Sequence, residues 1–251
     1  MAIRLKAEIE YDGTDFYGWQ KQKDRRTVQG EIEKVLAQRF DRRIVIVAAG
    51  RTDTGVHATG QVIHFDCPLN TDDASVLPDM VAEVRKSLTE MLPRDIACTV
   101  LEIAPPGFHA RFSAKARRYR YDIYLGRTAL ECRYCWEIRY QLVVGRMRRS
   151  LPPLLGRHIF EPLAKLNPGE KHYRCTVFDV SLKKCGNVLS FTITADRFLH
   201  GMVRAIVGTL VDVGRGAKDT DIFTRIVETQ DRTLVGCLAP ARGLVLEAVE
   251  Y

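Results

Sequence analysis

The chain has 251 residues, of which 46% are hydrophobic and 27% charged, which is typical of a globular protein and excludes a disordered or fibrous one. No stretch approaches about 18 consecutive apolar residues, so we predict no membrane-spanning helix. The net charge of +7 favours an anionic partner such as nucleic acid. The alternating start, MAIRLKAEIEYDG, does not resemble a secretion signal, so we expect a cytoplasmic protein whose seven cysteines are free thiols.

The positive charge is concentrated in residues 111–149, which contain eleven Lys and Arg against three acids. Seven aromatic residues share this stretch: Phe112, Tyr119, Tyr121, Tyr124, Tyr134, Trp136 and Tyr140. Cations that contact phosphates, interleaved with rings that stack on unpaired bases, favour RNA binding. The alternative is a solvated basic face whose strand aromatics point into the core.

The first half of the chain predicts the order strand, helix, strand, strand, helix, strand. Residues 4–11 alternate apolar and polar side chains, as in a half-buried strand. Thr27 is a plausible N-cap for the amphipathic helix TVQGEIEKVLAQRF. The segments RIVIVAAG and TGQVIHFD within 43–66 predict two strands joined by a turn, and residues 79–91 and 96–104 predict a helix and a strand.

The second half repeats this α+β pattern. It predicts a strand in RRYRYDIYLG, a helix interrupted at Pro152, a hairpin across 185–187, a long apolar helix in FLHGMVRAIVGTLVDVGRG, a short helix near 220–230 and a closing strand in GLVLEAVEY. We therefore predict an α+β fold with one joined, mostly antiparallel sheet and helices on one face. The Pro105–Gly107 seam divides it into halves 1–106 and 107–251.

The turn AAGRTDTGVHA places Arg51 and Asp53 between Gly50 and Gly55. Glycines permit a tight turn and the close approach of a ligand, and loops held by strands often carry catalytic side chains. Asp and Thr are also ordinary turn residues. An aspartate can act as a nucleophile or stabilise an oxocarbenium-like centre. A metal site that uses Asp53 with two histidines of the following strand, His57 and His64, fits no familiar ligand spacing.

Five blocks in order resemble the tRNA pseudouridine synthase A family over nearly the whole chain. These blocks are EYDGTDFYGWQKQ with TVQGEIE, AGRTDTGVHATGQVIHFD, FHARFSAKARRYRYDIY, DRFLHGMVRAIVGTLVDVGRG and DRTLVGCLAPARGLVLEAVEY. The resemblance implies the pseudouridine synthase fold, with two ferredoxin-like halves that share a continuous sheet and a central basic cleft. It also implies isomerisation of uridine to pseudouridine at positions 38–40 of the tRNA anticodon stem-loop, without a cofactor or metal.

The resemblance assigns roles to particular residues of this chain. Asp53 matches the nucleophile, which either attacks C1′ or initiates a glycal route by taking a proton from C2′. Arg51 matches the arginine that occupies the space of the flipped nucleotide; the alternative is a salt bridge to Asp53 or Asp66. His57 is interpreted as structural or adjacent to substrate.

Four further residues follow from the same resemblance. Tyr119 matches the active-site tyrosine, although by pattern alone it is indistinguishable from Tyr121 and both favour core packing. Arg204 matches the arginine that pairs with the catalytic carboxylate, and its alternative is an arginine at the edge of a buried helix. Leu246 matches the leucine that packs against the target base, and Arg111 is assigned to substrate binding.

The resemblance implies tRNA as the partner and a homodimer, neither of which the composition establishes. The sequence departs from the family pattern at Ile159 in GRHIF, where the family usually has an acid, so a local cap or RNA contact is in doubt.

Two other interpretations remain open. Cys132, Cys135, His172 and Cys175 form two pairs that would suit a zinc-stabilised RNA-binding module. A nucleoside hydrolase or transferase that acts on free uridine is the second, and the basic, aromatic middle of the chain disfavours it.

Overall fold

A computed structural model describes residues 3–68, 76–166 and 172–251. The chain forms two compact units: unit 1 comprises residues 1–115 and 246–251, and unit 2 comprises residues 116–245. Both contain helices and mostly antiparallel strands, which confirms the predicted α+β class. Within the described ranges, no helix is long and apolar enough to cross a membrane.

Unit 1 follows the predicted element order. It contains β1 (Ile3–Tyr11), α1 (Val28–Phe40), β2 (Val47–Ala48), β3 (His57–Cys67), α2 (Leu77–Met91) and β4 (Ile96–Ile103). Strand β1 lies between β4 and β3 and is antiparallel to both, and β2 pairs with β3. The alternation in β1 is confirmed, because Leu5, Ala7 and Ile9 are fully buried and their neighbours are not.

Two predictions, the N-cap of α1 and the strand that follows this helix, have different outcomes. The N-cap prediction is confirmed, since Thr27 Oγ1 accepts a hydrogen bond from Gly30 N at 3.3 Å. The strand predicted for RIVIVAAG is wrong over most of its length, because only Val47–Ala48 pairs. Ile44 and Ile46 are buried as their hydrophobicity predicts, but Ile46 N donates to Glu33 Oε1 of α1 at 3.4 Å instead of to a neighbouring strand.

Unit 2 contains the strands β5 (Ala116–Leu125), β6 (Trp136–Ile138), β7 (Gly156–Ile159), β8 (Arg174–Cys185) and β9 (Val188–Ala195). Its helices are α3 (Val144–Ser150), α4 (Met202–Gly214) and α5 (Ile222–Thr229). The strands lie in the order β5, β9, β8, β7, and β6 runs parallel to β5. The β8–β9 hairpin, the helix that stops before Pro152 and the buried α4 were predicted, whereas the short β6 and β7 were not.

The closing strand β10 (Leu244–Glu250) begins in unit 2 and contributes its residues from Leu246 onward to unit 1, where β10 lies beside β3. Lys115 N donates to Glu250 O at 2.8 Å, and Tyr251 Oη donates to Ala110 O at 2.8 Å. Val249 and Tyr251 pack against a small buried cluster of Ala49, Val62, Phe108 and Ala110. This cluster supports the chain at the point where β2 leads into the Gly50–Val56 loop.

Candidate functional site

The loop that carries Arg51 and Asp53 is a tight turn between β2 and β3. Val56 N donates to Asp53 O at 3.1 Å, and Gly55 has a φ of +77°. The side chain of the fully buried Gln61 holds the start of the loop, because its Nε2 donates to Gly50 O at 2.9 Å. These bonds satisfy backbone groups that the sheet leaves unpaired and tie the loop to β3.

A second segment, residues 16–19, packs against this loop. Trp19 N donates to Thr52 O at 3.0 Å. Gly18 has a φ of +82°, and a Cβ placed on it would lie 2.9 Å from Thr52 O and 3.2 Å from the carbonyl carbon of Asp53. Because Phe16 and Trp19 are almost completely buried, the segment that supports the Gly50–Val56 loop is anchored in the core. The contact of residues 16–19 with the loop was not predicted from the sequence, although Gly18 beside Trp19 in a turn was the available signal.

The interior side of the loop is fixed by a buried hydrogen bond. Tyr11 Oη lies 2.7 Å from Thr52 Oγ1, and both residues are buried. Burial raises the pKa of Tyr11, so the phenol is neutral and acts as a hydrogen-bonding group. Thr52 is therefore held through its side chain by β1 and through its carbonyl by Trp19. The adjacent residues, Arg51 and Asp53, extend from this fixed point.

The two candidate side chains of the loop differ in exposure. Arg51 is exposed, and within the described residues it makes no ion pair. The alternative of a salt bridge from Arg51 to Asp66 is therefore wrong, because Asp66 pairs with Arg4 at 2.7 Å. Asp53 is half-buried. A partly shielded carboxylate on a rigid turn can act as a nucleophile or as a base, while an exposed guanidinium beside it can contact an anionic polymer.

His57 has a structural position at the start of β3. It is buried, and its Nδ1 lies 3.0 Å from Gly13 N and 3.1 Å from Asp12 Oδ1. A ring nitrogen that accepts the Gly13 N–H is unprotonated and cannot also donate to Asp12, so the contact with Asp12 is not an ion pair. This geometry agrees with the interpretation of His57 as structural.

Arg111 lies in a second exposed turn of unit 1. Arg111 N and Phe112 N both approach His109 Nδ1 at 3.2 Å, and Ala110 N donates to the buried His64 Nδ1 at 3.0 Å. The two histidines thus cap the turn that presents Arg111. Leu246, which the resemblance places against the target base, is fully buried in β10.

Unit 2 separates the two tyrosines that the sequence pattern does not distinguish. Tyr121 is fully buried, its Oη donates to Pro240 O at 2.7 Å, and burial raises its pKa. Tyr119 lies on the same side of β5, is 9% exposed and meets the Phe198 ring edge-to-face at 5.0 Å. The hydroxyl of Tyr121 is therefore committed to the core, which leaves Tyr119 as the candidate for substrate contact.

Arg204 is half-buried near the start of α4. Its Nε donates to Ala239 O at 2.7 Å, and Ala239 N donates to Arg204 O at 3.1 Å. These two reciprocal hydrogen bonds hold the Arg204 side chain and backbone against Ala239. Arg204 was predicted to lie outside the apolar stripe of its helix, and its partial exposure in α4 agrees with that prediction.

The proposed zinc ligands are not assembled. Throughout the described ranges, no group of three or more His, Cys, Asp or Glu side chains is arranged to hold a metal ion. Cys175 is buried in β8, whereas His172 contacts the Arg197 guanidinium at 3.3 Å, an unsuitable neighbour for a cation. The predicted free thiols are confirmed for all seven cysteines.

Comparison with known proteins places these features in a family. The sequence model described as tRNA pseudouridine synthase matches residues 7–113 and 153–251. A tRNA pseudouridine synthase A from Bacillus subtilis (strain 168) is 40% identical over 99% of both chains, and one from Geobacillus sp. (strain WCH70) is 39% identical over 100% of this chain and 99% of its own. A solved Cbf5-Nop10-Gar1 complex is 10% identical, with a TM-score of 0.37, over 92% of this chain and 60% of that one, which is too low to inform on fold.

Proposed function

Because the chain belongs to the tRNA pseudouridine synthase A family, an isomerase family that acts on tRNA, we propose that it converts uridines 38–40 of the anticodon stem-loop to pseudouridine with Asp53 as nucleophile. The observation that carries the proposal is the loop geometry. Asp53 is half-buried on a turn that β1, Gln61 and residues 16–19 hold from three sides. A catalytic group fixed by its surroundings before substrate arrives avoids reorganisation during the reaction.

The reaction exchanges one glycosidic bond for another. The N1–C1′ bond of uridine breaks, the uracil turns, and C5 bonds to C1′; C5 then loses its proton and N1 gains one, so the product is an isomer of the substrate. Asp53 either attacks C1′ or removes the C2′ proton, and both routes need an ionised carboxylate. The resemblance assigns the stabilisation of that charge to Arg204 and the contacts with the uracil to Tyr119 and Leu246.

The target uridine is stacked in the anticodon stem-loop and must leave the stack before its C1′ can be reached. We propose that Arg51 fills the space it leaves. The support is that Arg51 is exposed and makes no ion pair in the described residues, so no internal contact is lost when it inserts. Arg111, on its capped turn, is proposed to contact the RNA backbone. We further propose a cytoplasmic homodimer, an expectation that depends on the family alone.

The test is tritium release from C5-labelled uridine in an anticodon stem-loop and in full-length tRNA. Wild type should release tritium, and Asp53→Asn should release none while its tRNA Kd stays within about threefold, since one partly buried charge contributes little to a large phosphate interface. Asp66→Asn is the matched control, because it removes the same charge from an exposed residue of the same unit. Turnover by Asp53→Asn would refute the nucleophile, and release of free uracil would indicate a hydrolase instead.

A further inference from the structure

Residues 17–26, here called the basic turn, form a small folded projection in unit 1. Gln22 and Arg25 form an isolated antiparallel bridge, and Asp24 between them has a φ of +57°. Tyr17 N donates to Arg26 O at 2.9 Å, and Gln22 Nε2 donates to Tyr17 O at 2.8 Å. Gln22 and Arg26 are therefore both hydrogen-bonded to the backbone of Tyr17, although residues 20–25 are all exposed.

The four cations of the basic turn fall into two pairs. Lys21 forms an ion pair with Glu33 at 3.2 Å, and Arg26 pairs with Asp95 at 2.7 Å, so both have structural partners. Lys23 and Arg25 make no ion pair within the described part of the chain. Arg25 instead lies over the Tyr17 ring, with its Cζ 4.4 Å from the ring centroid, and Tyr17 is 46% exposed.

Stacking on Tyr17 prepares Arg25 to bind an anion. A free arginine side chain loses much rotamer freedom when it binds, and the ring contact removes part of that freedom beforehand. The π face of tyrosine occupies one face of the guanidinium but none of its N–H groups, which lie in the guanidinium plane. Those donors match two oxygens of a phosphate group in a bidentate arrangement. Arg26 also lies over a ring, that of Phe16 at 4.1 Å, but its N–H groups pair with Asp95, whereas Arg25 makes no such pair among the described residues.

The basic turn is linked directly to the Gly50–Val56 loop, which carries Asp53. Gly18 and Trp19 follow Tyr17 and contact Thr52 and Asp53, as described above. Adding the Cα–Cα distance of about 3.8 Å and a Cα–Cβ bond of about 1.5 Å to the 3.2 Å approach at Gly18 places the Tyr17 Cα within about 9 Å of the Asp53 carbonyl carbon. A ligand of Arg25 lies farther out, beyond the Tyr17 ring, so Arg25 and Asp53 would contact different nucleotides of one stem-loop.

We propose that Arg25, held by Tyr17 and assisted by Lys23, binds a backbone phosphate of the substrate RNA near the target uridine. This inference rests on the proposed function, since it takes an anticodon stem-loop as the ligand. It adds a subsite that positions the RNA relative to Asp53. Because residues 17–19 connect Arg25 directly to the loop that carries Asp53, one stem-loop should contact both, so the contribution of the subsite should be equal in full-length tRNA and in the isolated stem-loop.

The test is the Kd of fluorescently labelled stem-loop and full-length tRNA, measured by anisotropy at several salt concentrations. Arg25→Ala should weaken both by about tenfold and reduce the salt slope by about 0.7–0.9, the value for one phosphate contact. Arg25→Lys should keep the slope but lose part of the affinity, since lysine neither stacks as arginine does nor binds in bidentate fashion. Arg42→Ala removes the same charge from another exposed position and should change Kd less than twofold.

The role of Tyr17 is tested by a double-mutant cycle. Tyr17→Phe keeps the ring and should bind as wild type, whereas Tyr17→Leu should lose several-fold, and the loss should be absent in the Arg25→Ala background. The proposal is overturned if Arg25→Ala binds like Arg42→Ala, if only full-length tRNA is affected, or if the two losses are additive. Failure of the proposed function is separate: wild type would then release no tritium from C5, or would not bind the stem-loop at all.

Discussion

Replacing Gly18 with alanine should displace the Gly50–Val56 loop without changing any side chain of the proposed site. The new Cβ would lie 2.9 Å from Thr52 O, about 0.5 Å closer than the 3.4 Å at which ordinary contacts begin. The atom it meets is backbone, and Trp19 N and Tyr11 Oη hold the same residue in place. The loop must therefore move as a unit by several tenths of an ångström.

The magnitude follows from two contributions. A φ of +82° costs a residue with a Cβ about 1–2 kcal/mol, and overpacking adds about 1–3 kcal/mol, so the free energy of unfolding should fall by about 2–5 kcal/mol. A misplacement of about 1 Å costs a catalytic group roughly a hundredfold in rate, so a shift of about half that size should lower kcat by about tenfold.

Gly107→Ala is the matched control, because Gly107 has a φ of +74° but its Cβ would meet nothing within 4 Å. It should show the conformational cost of about 1–2 kcal/mol and an unchanged kcat. Kcat is measured by tritium release at saturating tRNA, and stability by urea unfolding. Equal kcat values for Gly18→Ala and wild type, or equal losses in both variants, would refute the idea that residues 16–19 position Asp53.

Two further predictions concern the same unit. If Arg51 fills the space of the flipped nucleotide as proposed, Arg51→Ala should lower kcat/KM by at least about tenfold. It should change the free energy of unfolding by no more than about 0.5 kcal/mol, because Arg51 is exposed, and a larger loss in urea unfolding would show a structural role. For His64, burial first and then the charges of Arg4 and His109 lower the pKa to about 4 from 6.5. The unfolded chain therefore binds a proton between those values and the folded chain does not, so stability falls as the pH drops through this window. His64→Gln should flatten that dependence in urea unfolding at pH 7 and 4.5, and an unchanged slope would contradict it.

The sequence by itself determined most elements and the identity of the loop. Alternation in residues 4–11 predicted β1, because side chains of a strand with one buried face must alternate. Thr27 predicted the start of α1, because its hydroxyl satisfies a free N–H of the first turn. Asp53 and Arg51 were predicted as site residues from the resemblance of a block whose residues are neighbours in the chain, so this prediction needed no tertiary structure.

Only the tertiary structure decided features that depend on residues far apart in sequence. RIVIVAAG is hydrophobic enough for a strand, yet Glu33 of α1 takes the hydrogen bond that a neighbouring strand would have made. Tyr119 and Tyr121 have the same pattern, and Pro240 distinguishes them by accepting the hydroxyl of Tyr121. Gly18 reads as an ordinary turn glycine until Thr52 is seen within 3 Å of its missing Cβ. Hydrophobic periodicity reports which side of an element is buried, but the partner of a buried polar group is chosen by packing.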